Sequence, residues 1–318
     1  MRASGTTSRE GGNEIGIAAF VLNPGRVRGA ARVADRCAAT ATAAGWDWLV
    51  LETSAGDPGT LLARHAVAAG AGLVFAIGGD GTVRACAEAL AGTAIPLAIV
   101  PRGTANLAAR ALGIPHSLGA ALATGFGGLE RRIDLATADG MTYAAMAGLG
   151  VDAAVVAATP AWLKSRAGWL AYGTAGARLA QGPRATFDIS LDGAPVACAA
   201  RSVVVGNAGL LPGGFVLLPG ARLDDGHLDV GILGPSSLLD WGRVGYRVVT
   251  GSRSADRQLL RYRARHVEIH ADRELPRQVD GEVIEPGRAL TATVLPAALL
   301  VRTPGGGARG LFRAGFGG

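Results

Sequence analysis

The chain has 318 residues, 49% of them hydrophobic and 18% charged, with a formal net charge of +6 carried almost entirely by arginine, Lys164 being the one lysine. This length supports a core large enough for two domains, and the Ala/Gly/Arg richness reads as a coding bias rather than low-complexity disorder. Three widely spaced cysteines (Cys37, Cys86, Cys198) without a Cys-x-x-Cys or Cys/His cluster argue against zinc and for reduced thiols in a cytoplasmic protein. The basic charge suits an anionic membrane surface or a polyphosphate, whereas nucleic acid is disfavoured because no dense Arg run or aromatic interleaving is present.

In chain order, residues 1–13 predict a disordered lead-in without the apolar stretch of a signal peptide. Residues 14–137 alternate strand and helix. Strands are expected at 15–22, 48–52, 73–77 and 97–100, and helices at 29–44, 59–69, 83–90 and 105–112. That alternation implies βαβ units and a parallel sheet, whose ligands bind at the carboxyl ends of the strands. Residues 138–302 are a mostly antiparallel β region, with strands at 185–191, 198–205, 228–233, 267–270, 277–284 and 290–301 and a hairpin turn at Asp192-Gly193. Helical inserts are expected near 160–180 and 236–250, the last strand has the option of returning to the first domain, and 303–318 reads as a flexible tail. The stretch Thr142–Leu163 is rejected as a membrane span because it holds Asp152 and Pro160 and follows a strand pattern.

Three strand ends carry loops. Gly78-Gly79-Asp80-Gly81-Thr82 combines glycines, which leave no Cβ before a ligand, with the start of a helix, whose amides and dipole favour phosphate. Thr82 is placed to cap that helix or to touch a phosphate. Asp80 would repel a phosphate unless a cation lay between them, which argues for Mg²⁺. A tight βα turn with an Asp cap is the competing reading. Arg102-Gly103-Thr104-Ala105-Asn106 repeats the pattern after the fourth strand, with Thr104 and Asn106 placed to cap the helix or hold phosphate oxygens. Asn23-Pro24-Gly25-Arg26 ends the first strand. Together they read as a nucleotide polyphosphate cradle. Walker A and protein-kinase arrangements are excluded by the missing lysines, and the first βα turn lacks Gly-x-Gly-x-x-Gly.

The segments GGDGTVRACAEAL and IPLAIVPRGTANLAARALGIP, followed in order by ERRIDLATADG, AGLGVDAAVV, LKSRAGWLAYG, VGNAGLLPGGFVLLPGARLDDGHLDVGIL and QVDGEVI, resemble the diacylglycerol kinase catalytic-domain family over about residues 14–302. The resemblance extends to the soluble bacterial lipid kinases related to sphingosine and ceramide kinases. It implies an N-terminal α/β nucleotide domain, a C-terminal β-sandwich and an active site in the cleft between them. ATP and Mg²⁺ would phosphorylate a lipid hydroxyl, with diacylglycerol the first choice of acceptor. By the same resemblance Asn23, Thr53, the Gly78–Thr82 loop and Thr104 would meet ATP, and Glu282 would be the general base. Asp225, with the carbonyls of Arg222 and His227, would hold a structural Mg²⁺. Many relatives carry an acid where this chain has Leu107. In them that acid joins the loop Asp and the equivalent of Asp134 in a Mg²⁺-linked network, so Leu107 raises the alternative of a non-catalytic sensor.

Asp280 and Glu282 lie two apart, and on a strand they would share a face, with Cα atoms about 6.6 Å apart, each raising the other's pKa. A solvated β-turn is the competing reading. Asp224, Asp225 and Asp229 admit either a hairpin turn or a metal. No histidine pair has ligand spacing. Trp162, Trp169 and Tyr172, flanked by Lys164, Arg166 and Arg178, fit either a basic amphipathic membrane helix or, because Arg166 interrupts the stripe, a helix packed on the β domain. The resulting expectation is a cytoplasmic lipid kinase visiting the inner membrane face, with a homodimer left open. A soluble NAD kinase-like enzyme is the alternative, since it shares Gly-Gly-Asp-Gly-Thr.

Overall fold

The computed structural model describes residues 2–5, 16–150, 184–211, 216–252 and 257–305. The expected helix near 160–180, most of the lead-in and the tail beyond 305 lie outside them. The chain divides into two compact units, Met1–Ile133 with Ala298–Gly318, and Asp134–Ala297.

In the first unit the strands are β1 (Arg2–Gly5), β2 (Ile17–Leu22), β3 (Asp47–Glu52), β4 (Ala71–Gly78) and β5 (Leu97–Pro101). The helices are α1 (Ala30–Ala43), α2 (Thr60–Ala68), α3 (Asp80–Leu90), α4 (Leu107–Ala111) and α5 (Leu118–Gly127). Strand β2 runs parallel to both β3 and β4, setting Phe20 opposite Val50 and Phe75, and β4 runs parallel to β5. Residues 18–22 are buried without interruption, as expected of a parallel sheet covered on both faces. The rings of Phe20 and Phe75 stack with centroids 4.8 Å apart, and Phe126 of α5 lies 4.9 Å from Phe75. Helix α5 comes this close because its Gly125 has no Cβ; one there would sit 2.1 Å from the Phe75 ring. Strand β1 pairs antiparallel with the edge of β3, in a segment whose composition predicts no ordered structure. The open polar groups of an edge strand favour such an addition whatever its side chains.

The second unit uses β6 (Leu129–Ala138), which begins in the first, then β7 (Met141–Tyr143), β8 (Met146–Gly150), β9 (Ala185–Leu191), β10 (Ala194–Ala200), β11 (Ser202–Gly206), β12 (Leu228–Leu233), α6 (Leu238–Thr250), β13 (Leu259–Ala264), β14 (His266–Val279) and β15 (Glu282–Thr303). The long β14 joins two layers. Its first half pairs with β9, and its last three residues pair with β8 across register shifts after His270. Strands β8, β11, β12 and β13 continue one antiparallel layer, and β9 and β10 the other. Val203, Val205, Val230 and Ile232 of one layer pack with Phe187, Ile189, Val267 and Leu290 of the other, giving a β-sandwich core.

The fold class is the expected one, an α/β unit with a parallel sheet followed by a mostly antiparallel β-sandwich. The thiols of Cys37 and Cys86 are buried and pushed up to about 12 by that burial, so they serve as inert packing. Among the described residues no helix is long and apolar enough to cross a membrane.

Candidate active site

Three loops meet at the carboxyl edge of the first unit's sheet. After β2, Asn23 donates its backbone N–H to Ile77 O (3.0 Å) and its side-chain amide to Thr82 Oγ1 (3.3 Å). After β4, Gly78 accepts through its carbonyl the N–H of Arg102 (2.7 Å). Gly79 and Gly103 then face each other so closely that a Cβ on Gly103 would lie 2.5 Å from the Gly79 Cα. Thr53, after β3, is buried, and its N–H donates to Leu22 O (2.8 Å). The sequence-predicted residues of all three loops are therefore brought together, with Gly81, Thr104, Pro24 and Gly25 exposed along the edge.

Two expected roles change. Helix α3 starts at Asp80, not Val83, with extended Gly79 before it and no side-chain cap. Thr82 thus lies within the first turn, where its hydroxyl meets Asn23 instead of capping. Asn106 takes a left-handed conformation (φ 48°) and grips Gly103 at both ends, its Oδ1 accepting the Gly103 N–H (2.8 Å) and its Nδ2 donating to the Gly103 carbonyl (2.7 Å). It shapes the loop rather than capping α4. The amides at the start of α3, uncovered by any side-chain cap, are the feature suited to an anion.

Asp80 is joined to the neighbouring loop: its Oδ1 accepts the N–H of Leu107 (2.6 Å). Leu107 itself is 2% exposed, so this position supplies an amide and core packing where the resemblance implied an acid. Arg102 donates through NH1 to the carbonyl of His116 (3.1 Å), which keeps its positive charge beside the loop.

In the second unit, Asp280 and Glu282 do not share a strand. Asp280 and Gly281 both have positive φ (48° and 78°) and form the two-residue turn between β14 and β15, with Val279 opposite Glu282. That pair of angles is the signature of a type I′ turn, for which Asp-Gly is favoured. The Asp280 carboxylate is turned inward: Oδ2 accepts the N–H of Ala144 (3.0 Å), and Oδ1 accepts those of Ala145 (2.9 Å) and Met146 (3.0 Å). The carboxylate expected to be catalytic thus holds three backbone amides at the turn. Glu282 is exposed at the head of β15.

Asn207, fully buried, completes this knot by donating its side-chain amide to the carbonyls of Asp134 (2.8 Å) and Ala144 (3.1 Å). Tyr143, also fully buried, has its phenol pKa raised by burial and then by the Asp280 charge. Sequence reasoning assigned neither residue a role. The one signal for Asn207 was a polar side chain directly after an apolar strand and a glycine.

The expected metal ligands fare unevenly. Asp134 uses both oxygens on backbone, Oδ2 accepting the N–H of Gly226 (2.7 Å) and Oδ1 that of Ala297 (2.7 Å). Asp225 accepts the His227 N–H at Oδ1 (3.2 Å) and the Arg263 guanidinium at Oδ2. Arg263 Nε also lies 4.0 Å from Asp229 Oδ2. Burial pushes the Asp229 carboxyl up to about 6, Arg263 pulls it down and Asp225 pushes it up. An arginine thus stands where the resemblance implied a structural Mg²⁺ near Asp225, Arg222 and His227, and the loop does not fit that ion. Among the described residues no three His, Cys, Asp or Glu side chains converge as a metal site. A nucleotide-borne Mg²⁺ asks less of the protein, one or two carboxylates beside the phosphates, and Asp80 at the glycine loop fits that demand.

Residues 18–138 match the model of the diacylglycerol kinase catalytic domain, and residues 145–303 match that of the YegS C-terminal NAD kinase beta sandwich-like domain. A protein of Pseudomonas fluorescens described as a probable lipid kinase YegS-like is 37% identical over 267 residues, 82% of this chain and 87% of the relative.

The chain belongs to the diacylglycerol kinase catalytic-domain family.

A Pseudomonas aeruginosa member with the same description is 37% identical over 204 residues, 62% of this chain. That match spans 65% of the relative, just under two thirds of its length. The fold of this family member is also that of a crystal structure described as a diacylglycerol kinase from Bacillus anthracis, with a TM-score of 0.72 at 22% identity over 92% of this chain and 99% of the other. The family boundary between residues 138 and 145 falls close to the start of the second unit at Asp134.

Proposed function

We propose that this chain is an ATP-dependent lipid kinase that phosphorylates a lipid hydroxyl, with diacylglycerol as acceptor and phosphatidic acid as product. The observation that carries the reading is the approach of Gly79 to Gly103, which brings the backbones of two strand-end loops together where no Cβ would fit. The loops on β2, β4 and β5 hold the triphosphate, through the amides at the start of α3 and the charge of Arg102. Mg²⁺ bound with the nucleotide would neutralise charge on the phosphates, and Asp80 would be the carboxylate that holds it. Glu282 accepts the proton of the attacking hydroxyl, while Asp280 fixes the turn that carries Glu282. Phosphoryl transfer needs positioning and charge neutralisation more than covalent chemistry, so rigid loops are the main contribution of the protein. The amide that Leu107 gives to Asp80 supports a working site rather than a sensor.

The protein works at the cytoplasmic membrane surface, where its substrate resides. Incubation with labelled ATP and a mixed lipid extract tests the reading. The expected product is a labelled lipid with the mass of phosphatidic acid. Label on NAD in plain buffer, or nucleotide binding without labelled product across the extract, would overturn it.

A further inference from the structure

Helix α6 is built to stand on the surface. Ser237 Oγ accepts the Asp240 N–H (3.2 Å), and Asp240 Oδ2 accepts from Ser236 Oγ (2.7 Å) and from the N–H groups of Ser236 and Ser237 (3.1 Å each), forming a capping box. At the other end Gly251 closes the helix in a left-handed conformation. The inner face packs Val244 and Val248 with Val204, Leu233 and Leu259. The outer face carries Leu239 at 78% exposure, Tyr246 at 70% and Val249 at 52%, with Arg243 between them. At 3.6 residues per turn these positions share one arc. Of the six large hydrophobic side chains exposed among the described residues, three sit on this single helix. From Trp241 to His266 the sequence carries seven arginines against one acid, Asp256.

We propose that the outer face of α6 docks the protein on an anionic bilayer. Leu239, Tyr246 and Val249 enter the boundary between headgroups and acyl chains, and Arg243 stays with the lipid phosphates. An apolar stripe flanked by cations is the pattern of an interfacial helix, and tyrosine prefers that depth. The excess of arginine disfavours a second copy of the same face as occupant, and a duplex offers no acceptor for the aliphatic side chains. The inference rests on the lipid-kinase reading for its purpose, and its test does not depend on catalysis.

The full chain is sedimented with vesicles of phosphatidylcholine alone and of phosphatidylcholine with phosphatidylglycerol. Wild type is expected to bind the anionic vesicles, with the Leu239→Ser/Tyr246→Ser/Val249→Ser variant losing about tenfold or more in affinity and Arg243→Glu weakening binding in a salt-dependent way. Tyr246→Trp, which keeps the apolar face, is expected to be quenched by brominated lipids even where the triple variant does not fold. Equal binding by a folded triple variant, indifference to lipid charge, absence of quenching, or preference for DNA or self-association through this face would each overturn the proposal. Transfer to a short-chain diacylglycerol in detergent micelles separates the two readings. Its absence with vesicle binding intact sinks the kinase, and its presence in wild type without α6-dependent binding sinks the docking face.

Discussion

The backbone N–H of Leu107 reaches Asp80 Oδ1 at 2.6 Å, so the acid of the glycine loop is held by the first residue of the next helix. Asp80→Asn keeps an acceptor for that amide and is expected to unfold within about 1 kcal/mol of wild type while phosphoryl transfer is lost. Leu107→Asp, which installs the acid that the resemblance implied, places a charge at a site 2% exposed and is expected to cost more than about 2 kcal/mol without any gain in activity. Denaturant titration and a labelled-ATP assay measure both.

Gly103→Ala sets a methyl group 2.5 Å from the Gly79 Cα, a backbone atom that cannot turn aside. The loops must separate. Overpacking of this kind costs about 1–3 kcal/mol, and nucleotide affinity is expected to fall with it. Calorimetric ATP titration of the variant checks this, and unchanged affinity would dissociate the loop pair from nucleotide binding.

The two acids of the β14–β15 turn should separate cleanly. Asp280→Ala leaves three amides without their acceptor and is expected to destabilise the second unit by roughly 3 kcal/mol or more. Glu282→Gln is exposed and should melt like wild type, while transfer falls by a factor of about 10² to 10⁴ as expected for loss of a general base. Full activity in Glu282→Gln would remove it from the mechanism.

Asp229 gives a pH signature. Its carboxyl is raised from 3.8 to about 6 in the folded protein, chiefly by burial. The folded state holds a proton that the unfolded chain releases, so this contribution is full below about pH 4 and is lost as pH rises through 6. A gap of about two pH units corresponds to at most roughly 3 kcal/mol. Asp229→Asn is expected to flatten the decline, and Arg263→Met to extend it to higher pH by removing the cation that lowers the pKa. Melting temperatures across pH 4–8 (about the range in which the carboxyl titrates) report both effects. With Arg263 already on Asp225, nucleotide-free wild type should melt alike in Mg²⁺ and in chelator.

The alternation of strands and helices, the three loops and the change of texture near residue 137 were all legible, because burial of a parallel sheet and the conformational demands of glycine leave marks a few residues long. Asp192-Gly193 reads as a hairpin, whereas Asp280-Gly281, which also has two positive φ values, admits either strand or turn between its apolar flanks, and the fold makes it the turn. Helix α5 passed unnoticed since its Gly/Ala-rich sequence packs by the absence of side chains, at Gly125 against Phe75. What no local pattern carries is long-range pairing. Asp280 finds its amides more than 130 residues away, Asp134 reaches Ala297, and Arg263 occupies the carboxylate expected to bind metal. Resemblance supplied names for these acids, and only the fold distinguished those that hold backbone from the one left facing solvent.

Strand β15 begins at Glu282 in the second unit, and from Ala298 onward it belongs to the first, where Val301 pairs with Leu97 of β5, Gly92 donates to the Ala298 carbonyl and Arg302 meets Glu130. On the ribosome, then, the nucleotide-type unit cannot be finished when its first 133 residues have emerged, because Ala298–Gly318 also belong to it. The flank of β5 waits, open to stray strand pairing, until the sandwich sequence has been translated in full, and a chain cut after Ala297 should aggregate even though every loop of its cradle is present.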